Sequence, residues 1–419
     1  MPEIQNKNLV DQGRLKIQVT SRQRAVPIPN ATIEISYTGD PDSVLETVST
    51  DENGQTPVVD LPAPPVEYSM SPSENQPYSE YNLKIHSDEY KPVTISGAQI
   101  LSGVEGLQPV SMIPEETHTP TEEHPIVIGP HTLWGNYPPK IAESEIKPVN
   151  ESGEIVLSRV VIPEYIIVHD GPVGDKTAQN YYVRYKDYIK NVAACEIYST
   201  WPRATLEANI LAIMSFTLNR VYTEWYRNKG HDFTITSSTA YDHKFIPGKT
   251  TYNSINTIVD EIFADYLSRP NVRQPILTQY CDGKKVSCPE WMTQWGSKYL
   301  GDQGYAPIEI LRYYYGESMY INTAEQISGI PSSWPGYDLT IGSRGDKVRQ
   351  IQQQLNRIAK DYPSLPTIAV DGVYGESTAN AVRKFQNIFG LPQTGIVDYP
   401  TWYKISEIYV GVSRTAELN

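Results

Sequence analysis

Twelve consecutive residues near the end of the first third of this chain cannot enter any hydrophobic core. Pro114-Glu115-Glu116-Thr117-His118-Thr119-Pro120-Thr121-Glu122-Glu123-His124-Pro125 has four glutamates, three prolines and no aliphatic side chain. A stretch of this kind is expected to be an extended, exposed linker, and exposed tips are where proteases cut. The chain therefore folds into at least two bodies, and its 419 residues fit about two to four domains.

Charge is divided just as unevenly. The formal net charge is −14, and residues 1–125 hold 19 Asp+Glu against 7 Lys+Arg, a net of −12, which leaves −2 for the remainder. That balance argues against nucleic acid and other polyanions as partners, while the near-neutral remainder can approach an anionic wall. No apolar run reaches the about eighteen residues that a membrane span needs. Met1-Pro2-Glu3-Ile4-Gln5-Asn6 has neither the basic region nor the apolar core of a secretory signal. Thirty tyrosines and thirty-three prolines suggest an exposed, loop-rich protein that contacts something extended, such as a glycan.

Residues 1–113 alternate. Leu15, Ile17 and Val19 lie between polar neighbours, as do Ala31, Ile33, Ile35 and Tyr37, then Tyr81, Leu83 and Ile85, then Val93 and Ile95. A period of two marks half-buried strands, and Pro27-Ile28-Pro29-Asn30 and Asp51-Glu52-Asn53-Gly54 are turn signals. Short strands so punctuated predict a small all-β Greek-key sandwich. It holds no convergent acid, base or metal cluster. The runs Pro27 to Ala31, Thr50 to Gly54 and Leu61 to Pro65 resemble the carboxypeptidase regulatory-like, transthyretin-like β-sandwich modules, and that resemblance implies a domain without chemistry of its own.

The chemistry is expected between Tyr185 and Trp225. Tyr185, Tyr188, Ile189, Val192 and Cys195 recur at helical spacing, Glu196 ends that helix, and Ile197 to Trp201 make a corner. Pro202 suits a first helical position. The spacing then predicts a long amphipathic helix with Leu206, Ile210, Met214, Leu218, Val221, Tyr222 and Trp225 on one side. An acid at such a corner, beside Tyr198 and Trp201, is expected to be desolvated, which raises a carboxyl pKa and suits a general acid. A local cap or surface pair is the bland alternative.

Tyr188-Ile189-Lys190-Asn191-Val192-Ala193-Ala194-Cys195-Glu196-Ile197-Tyr198-Ser199-Thr200-Trp201-Pro202 resembles the central motif of the stage II sporulation protein D family of peptidoglycan lytic enzymes. Glu196 takes the place of that family's catalytic acid, although the Ala-rich helix that follows is altered here to Ala208-Asn209-Ile210-Leu211-Ala212. Thr239 to Phe245 resembles a second family segment in outline, and Trp291-Met292-Thr293-Gln294-Trp295-Gly296-Ser297 resembles a third, with Thr293 in a Ser place. Tyr305 to Tyr315 matches the family's tail. The resemblance implies a central α+β lytic domain over 126–330. It offers Tyr198, Trp201, Tyr241, Asp242, Thr293 and Gln294 as substrate-binding residues.

Other candidates have bland readings beside them. His169-Asp170 could be an acid–base pair, but a turn that satisfies its own backbone is the better reading. Cys281 and Cys288 are too loosely spaced for the usual zinc pair and no His lies near in sequence, so no metal and no cofactor are expected. A disulfide suits work outside the cytoplasm, and two free thiols remain open. Some relatives in the sporulation family carry zinc. Cys195 lies on the apolar helical face and should pack.

Residues 338–412 repeat a half-motif. Gly342-Ser343-Arg344-Gly345-Asp346-Lys347-Val348 leads into a helix with Val348, Ile351, Gln352, Leu355 and Ile358 at core spacing. Asp371-Gly372-Val373-Tyr374-Gly375-Glu376-Ser377-Thr378 leads into another with Ala379, Val382, Phe385 and Phe389, and Leu391 to Gly395 with Thr401-Trp402 complete a third segment. The pattern resembles the three-helix peptidoglycan-binding module of wall hydrolases. The whole chain is then a multidomain α+β protein whose order, sandwich (1–113), acidic linker (114–125), lytic domain (126–330) and binding module (338–412), resembles the clostridial spore cortex-lytic enzymes.

That resemblance implies a precursor lying outside the spore core, in the cortex and coat region. A subtilisin-like germination protease would activate it, and it would then cleave the β-1,4 muramic acid–glucosamine bond of cortex peptidoglycan. Residues 1–125 are the expected inhibitory pro-region, and Lys147 to Gly153 is a second loop candidate. One evident acid favours a lytic transglycosylase. A hydrolytic muramidase would need a second carboxylate, for which Asp242 and Glu290 are candidates. A non-enzymatic wall scaffold or amidase activator is the competing class.

Overall fold

The computed structural model describes residues 11–22, 26–115, 125–130, 133, 135–148, 157–286 and 288–413. The expected linker thus lies almost wholly outside the described residues, as does most of the loop after Lys147. Alternation decides the first third. β1 (Asp11–Ser21) and β2 (Thr32–Tyr37) turn Leu15, Ile17, Val19, Ile33 and Ile35 inward, as the pleat requires. β3 (Asp40–Ser49), β4 (Val59–Ala63), the short helix α1 (Glu67–Met70), β5 (Tyr78–His86), β6 (Val93–Leu101) and β7 (Glu105–Met112) follow. One sheet runs β3-β2-β5-β6 and the other β7-β1-β4, with β1 parallel to β7. Leu15, Ile33, Tyr81, Leu83 and Ile100 share the core between them.

This sandwich does not stop at the expected linker. β8 (Ile126–Val127) lies beyond it and joins the edge of β6 as a parallel strand. Residue 126, expected to open the lytic domain, is therefore part of the N-terminal sheet.

The central body starts with β9 (Val161–Ile162), β10 (Tyr165–His169) and β11 (Asn180–Arg184), and then the two expected helices, α2 (Tyr185–Glu196) and α3 (Arg203–Tyr222). Pro202 is the residue before the first turn of α3 rather than within it. α3 is also more buried than its stripe foretold. Leu206, Ile210, Met214 and Leu218 are enclosed, and so are Ala208, Leu211, Ile213 and Phe216 from the other side. A helix that is apolar all round belongs at the centre of a domain. Its polar residues find partners there: Ser215 donates to the Ile276 carbonyl at 2.9 Å and Asn219 to that of Pro275 at 2.7 Å. β12 (Ile235–Thr236), β13 (Thr251–Tyr252), α4 (Asn253–Ile262), β14 (Asp265–Ser268), β15 (Tyr280–Cys281), β16 (Met292–Thr293), α5 (Gln294–Asp302), α6 (Pro307–Tyr315), β17 (Tyr320–Thr323) and β18 (Gln326–Ile327) complete the body. α2, α4, α5, α6 and β14 all pack on α3.

Three features fuse this body to the sandwich. β13 pairs antiparallel with β7, extending the N-terminal sheet. Cys195 and Ile246 enter the sandwich's own core. Trp201 donates from Nε1 to the Ser69 carbonyl at 2.9 Å. The C-terminal body is α7 (Asp346–Ile358), α8 (Glu376–Ile388) and α9 (Tyr399–Ser413), with the expected Val348, Ile351, Leu355, Ala379, Val382 and Phe385 buried. It meets the sandwich through Gln55, which donates to the Ile388 carbonyl at 2.6 Å, and α2 through the Lys186–Glu407 ion pair at 2.5 Å. Among the described residues no helix is long and apolar enough to cross a membrane.

Candidate active site

The apolar face of α2 (Tyr188, Ile189, Val192) is fully buried, which fixes where its last residue points. Glu196 is itself only 7% exposed. Its Oε1 accepts the Lys244 backbone N–H at 2.7 Å and its Oε2 accepts Gln294 Nε2–H at 2.8 Å. The same Gln294 nitrogen donates to the Glu196 carbonyl at 2.7 Å. A carboxylate at a helix C-terminus faces the negative end of the dipole, and these two donors hold it there. Gln294 opens α5, so the tie joins the ends of two helices.

The carboxyl is buried as expected, but Tyr198 and Trp201 are engaged elsewhere. Tyr198 accepts the Leu133 N–H at 3.2 Å, and Tyr198, Trp201 and Trp295 form an aromatic cluster with centroids 5.0–6.1 Å apart. That cluster faces the sandwich, and neither Tyr198 nor Trp201 lines the cavity onto which Glu196 opens.

The lining comes instead from Glu196, Gln294, Thr239, Tyr280, Cys281, Asp282 and Val286, together with Leu133, Tyr137, Pro138 and Lys140. The free volume is about 30 Å³, room for roughly two water molecules and too little for a sugar ring. From Lys140 the chain continues in register along the body. Ile141 N–H donates to the Ala240 carbonyl, Glu143 N–H to Gln279 Oε1, Leu277 N–H to the Glu145 carbonyl and Lys147 N–H to Gln274 Oε1, all at 2.7–2.9 Å. Arg220 forks onto the Glu143 carboxylate at 2.7 and 3.0 Å, and Arg269 onto Glu145 at 2.6 and 2.7 Å. Burial alone would raise the Glu143 carboxyl, but Arg220 and Lys147 together hold it below its ordinary value. Lys140 donates to the Asp242 carbonyl at 3.1 Å and lies over the Tyr280 ring. Burial lowers its pKa against the opposing pull of Glu196, Asp242 and Asp282.

Asp242 does not reach the cavity with its side chain. It is 1% exposed, and its carboxylate accepts Arg220 Nε–H at 2.8 Å, Tyr226 O–H at 2.7 Å and the Thr236 N–H and O–H at 3.0 and 2.7 Å. It is the counter-ion of a buried arginine, which removes it both as substrate ligand and as second acid. Tyr241 contributes its carbonyl to the same arginine. Thr293 caps α5 and shares a hydrogen bond with the Tyr314 hydroxyl at 3.2 Å. Neither residue lines the cavity, and Glu290 is exposed away from it. Of the substrate-binding set only Gln294 stands beside Glu196.

His169 and Asp170 serve local structure, His169 Nδ1 facing Asn180 Oδ1 at 2.8 Å and Asp170 accepting from Ser237 at 2.8 Å. Cys281 and Cys288 form a disulfide, and among the described residues no group of three acidic, histidine or cysteine side chains could hold a metal. Two residues escaped the sequence reading. Asp282 was visible only as part of an Asp-Gly turn between two cysteines, and Lys140 lay in a stretch without periodicity.

Residues 344–405 match the family described as "Putative peptidoglycan binding domain". The zinc D-Ala-D-Ala carboxypeptidase of Streptomyces albus G is 39% identical over 77 residues, 18% of this chain and 28% of that protein. The N-acetylmuramoyl-L-alanine amidase CwlA of Bacillus subtilis (strain 168) is 46% identical over 52 residues, 12% of this chain and 19% of that protein. The chain thus spans less than a third of either relative. Among solved structures, the SleB N-terminal domain is 30% identical, covering 18% of this chain and 99% of that chain at a TM-score of 0.16. The C-terminal helical region of this chain carries a peptidoglycan-binding domain.

Proposed function

We propose that this chain is the precursor of a spore cortex-lytic enzyme, a lytic transglycosylase that cuts the β-1,4 bond between muramic acid and glucosamine. The observation that carries the reading is the buried Glu196 carboxyl. Two N–H donors hold it at the edge of a cavity, on a chain that also bears a peptidoglycan-binding domain. In the protonated form Glu196 gives its proton to the glycosidic oxygen as the bond from that oxygen to C1 of muramic acid breaks. The resulting carboxylate takes the proton of the muramoyl 6-hydroxyl as O6 bonds to C1. The product is 1,6-anhydromuramic acid and the acid is regenerated.

Silencing of the precursor is steric in this reading. Leu133, Tyr137, Pro138 and Lys140 line the cavity, none of the described residues of 1–125 does, and the ion pairs and main-chain ties of residues 141–147 resist displacement. The activating cut therefore falls beyond Pro148, and the protease that makes it is of the subtilisin-like class the sequence resemblance implies. Mass spectrometry of cortex digests tests the chemistry. Anhydromuramic ends are expected, and Glu196→Gln should lose nearly all turnover while still binding cortex. Muramic acid reducing ends as the main product would instead make the enzyme a hydrolase, and full activity in Glu196→Gln would remove the acid from this site.

A further inference from the structure

Asp282 is 5% exposed and lines the cavity with Glu196 and Gln294. Its two oxygens have unlike surroundings. Oδ1 accepts the N–H groups of Lys284, Lys285 and Val286 at 2.6, 3.0 and 3.0 Å. Oδ2 is buried and has no hydrogen-bond partner among the described residues. The loop is closed by the Cys281–Cys288 disulfide and tied at its base by β15–β16 pairing, so the carboxylate cannot turn away.

A turn cap alone does not explain this side chain. Asn or Ser accepts the same N–H groups without burying a charge, and a buried acceptor left unmatched costs about 1–3 kcal/mol or more when charged. The covering segment brings one cation into this cavity, Lys140, and the carboxylates of Glu196 and Asp282 both attract it. Glu196 and Asp282 thus face one cavity, where both carboxylates favour positive charge and burial opposes it. Breaking a glycosidic bond generates such a charge, because the transition state is oxocarbenium-like at the anomeric carbon.

We infer that Asp282 is a second catalytic carboxylate, whose negative charge stabilises the positive charge at C1 while Glu196 transfers the proton. It exchanges no proton and forms no bond: the proton passes from Glu196 to the leaving oxygen and returns to Glu196 from O6. This inference rests on the lytic reading above. It adds that Lys140, the one basic residue among the described residues lining the cavity, is drawn by the same two carboxylates that would face the cationic transition state.

The test uses the full-length chain with a specific protease site inserted between Pro148 and Leu157 and cut there. Asp282→Asn keeps the Oδ1 cap and removes only the charge. It should lower kcat on soluble cortex fragments by about 100-fold or more, the usual effect of deleting one preorganised electrostatic group, with KM little changed. The second measurement is binding of a cationic iminosugar against its neutral lactam isostere. The cut wild type should prefer the cation by about tenfold or more, and Asp282→Asn should abolish that ratio, which a general loss of fold would not do. An Asp282→Asn enzyme within threefold of wild-type kcat, or a wild type with no preference for the cation, overturns the inference. Activity surviving in Glu196→Gln would instead overturn the lytic reading and leave the charge preference of Asp282 standing on its own measurement.

Discussion

Asp242 and Asp282 are both buried aspartates whose charges act on the same lysine, yet their carboxylates are held in opposite ways. Asp242 accepts four hydrogen bonds, with both oxygens engaged, whereas one Asp282 oxygen has no partner among the described residues. Asp242→Asn should therefore destabilise the protein by about 3 kcal/mol, because a fully buried guanidinium loses one of its two carboxylate partners. Urea unfolding measures this. Unchanged stability with a raised KM would return Asp242 to the substrate-binding set. Glu196 was legible in the sequence because its motif is local, with helix, corner and Trp-Pro contiguous. Asp242 was misplaced because what decides its role comes from residues 143, 220, 226 and 236. No run of neighbouring letters carries that information.

In the proposed reading, access is governed by Leu133 and residues 135–148. The composition of this segment showed only loop, since its contacts are main-chain ties and ion pairs rather than an apolar stripe. The helices were legible for the opposite reason, although the polar residues on the far side of α3 concealed how completely it is enclosed. The segment's anchor should also be sensitive to acid. The Glu143 carboxyl is held below its ordinary 4.5 in the docked state. Its contribution is therefore complete above about 4.5 and is lost as pH falls through the lower docked value. Amide exchange at Ile141, Glu143 and Lys147, corrected for intrinsic rates, should be slow at pH 6 and faster at a pH below the docked value. Equal protection at both would mean that Glu143 does not hold the segment down.

At the scale of the whole molecule, the bodies are not beads on a string. The N-terminal sheet takes β13 from the central body and β8 from beyond the acidic linker, so cutting within 114–125 separates nothing that matters. Chain cut there should stay inactive on decoated spores, and chain cut between 148 and 157 should digest cortex. The reverse order of activities would place the inhibitory element before residue 125. One further feature gives this event a signal of its own. Cys195 immediately precedes Glu196, yet its sulfur lies within the core of the sandwich, and burial pushes the thiol up to about 11. At pH 8 only about one such group in a thousand is thiolate, the reactive form, and none is within reach of a reagent. When the N-terminal body lifts away, that sulfur meets water. On the proposed activation the chain carries its own stopwatch: alkylation of this one cysteine outside the disulfide should begin when the sandwich departs, and its rate should count molecules as they open.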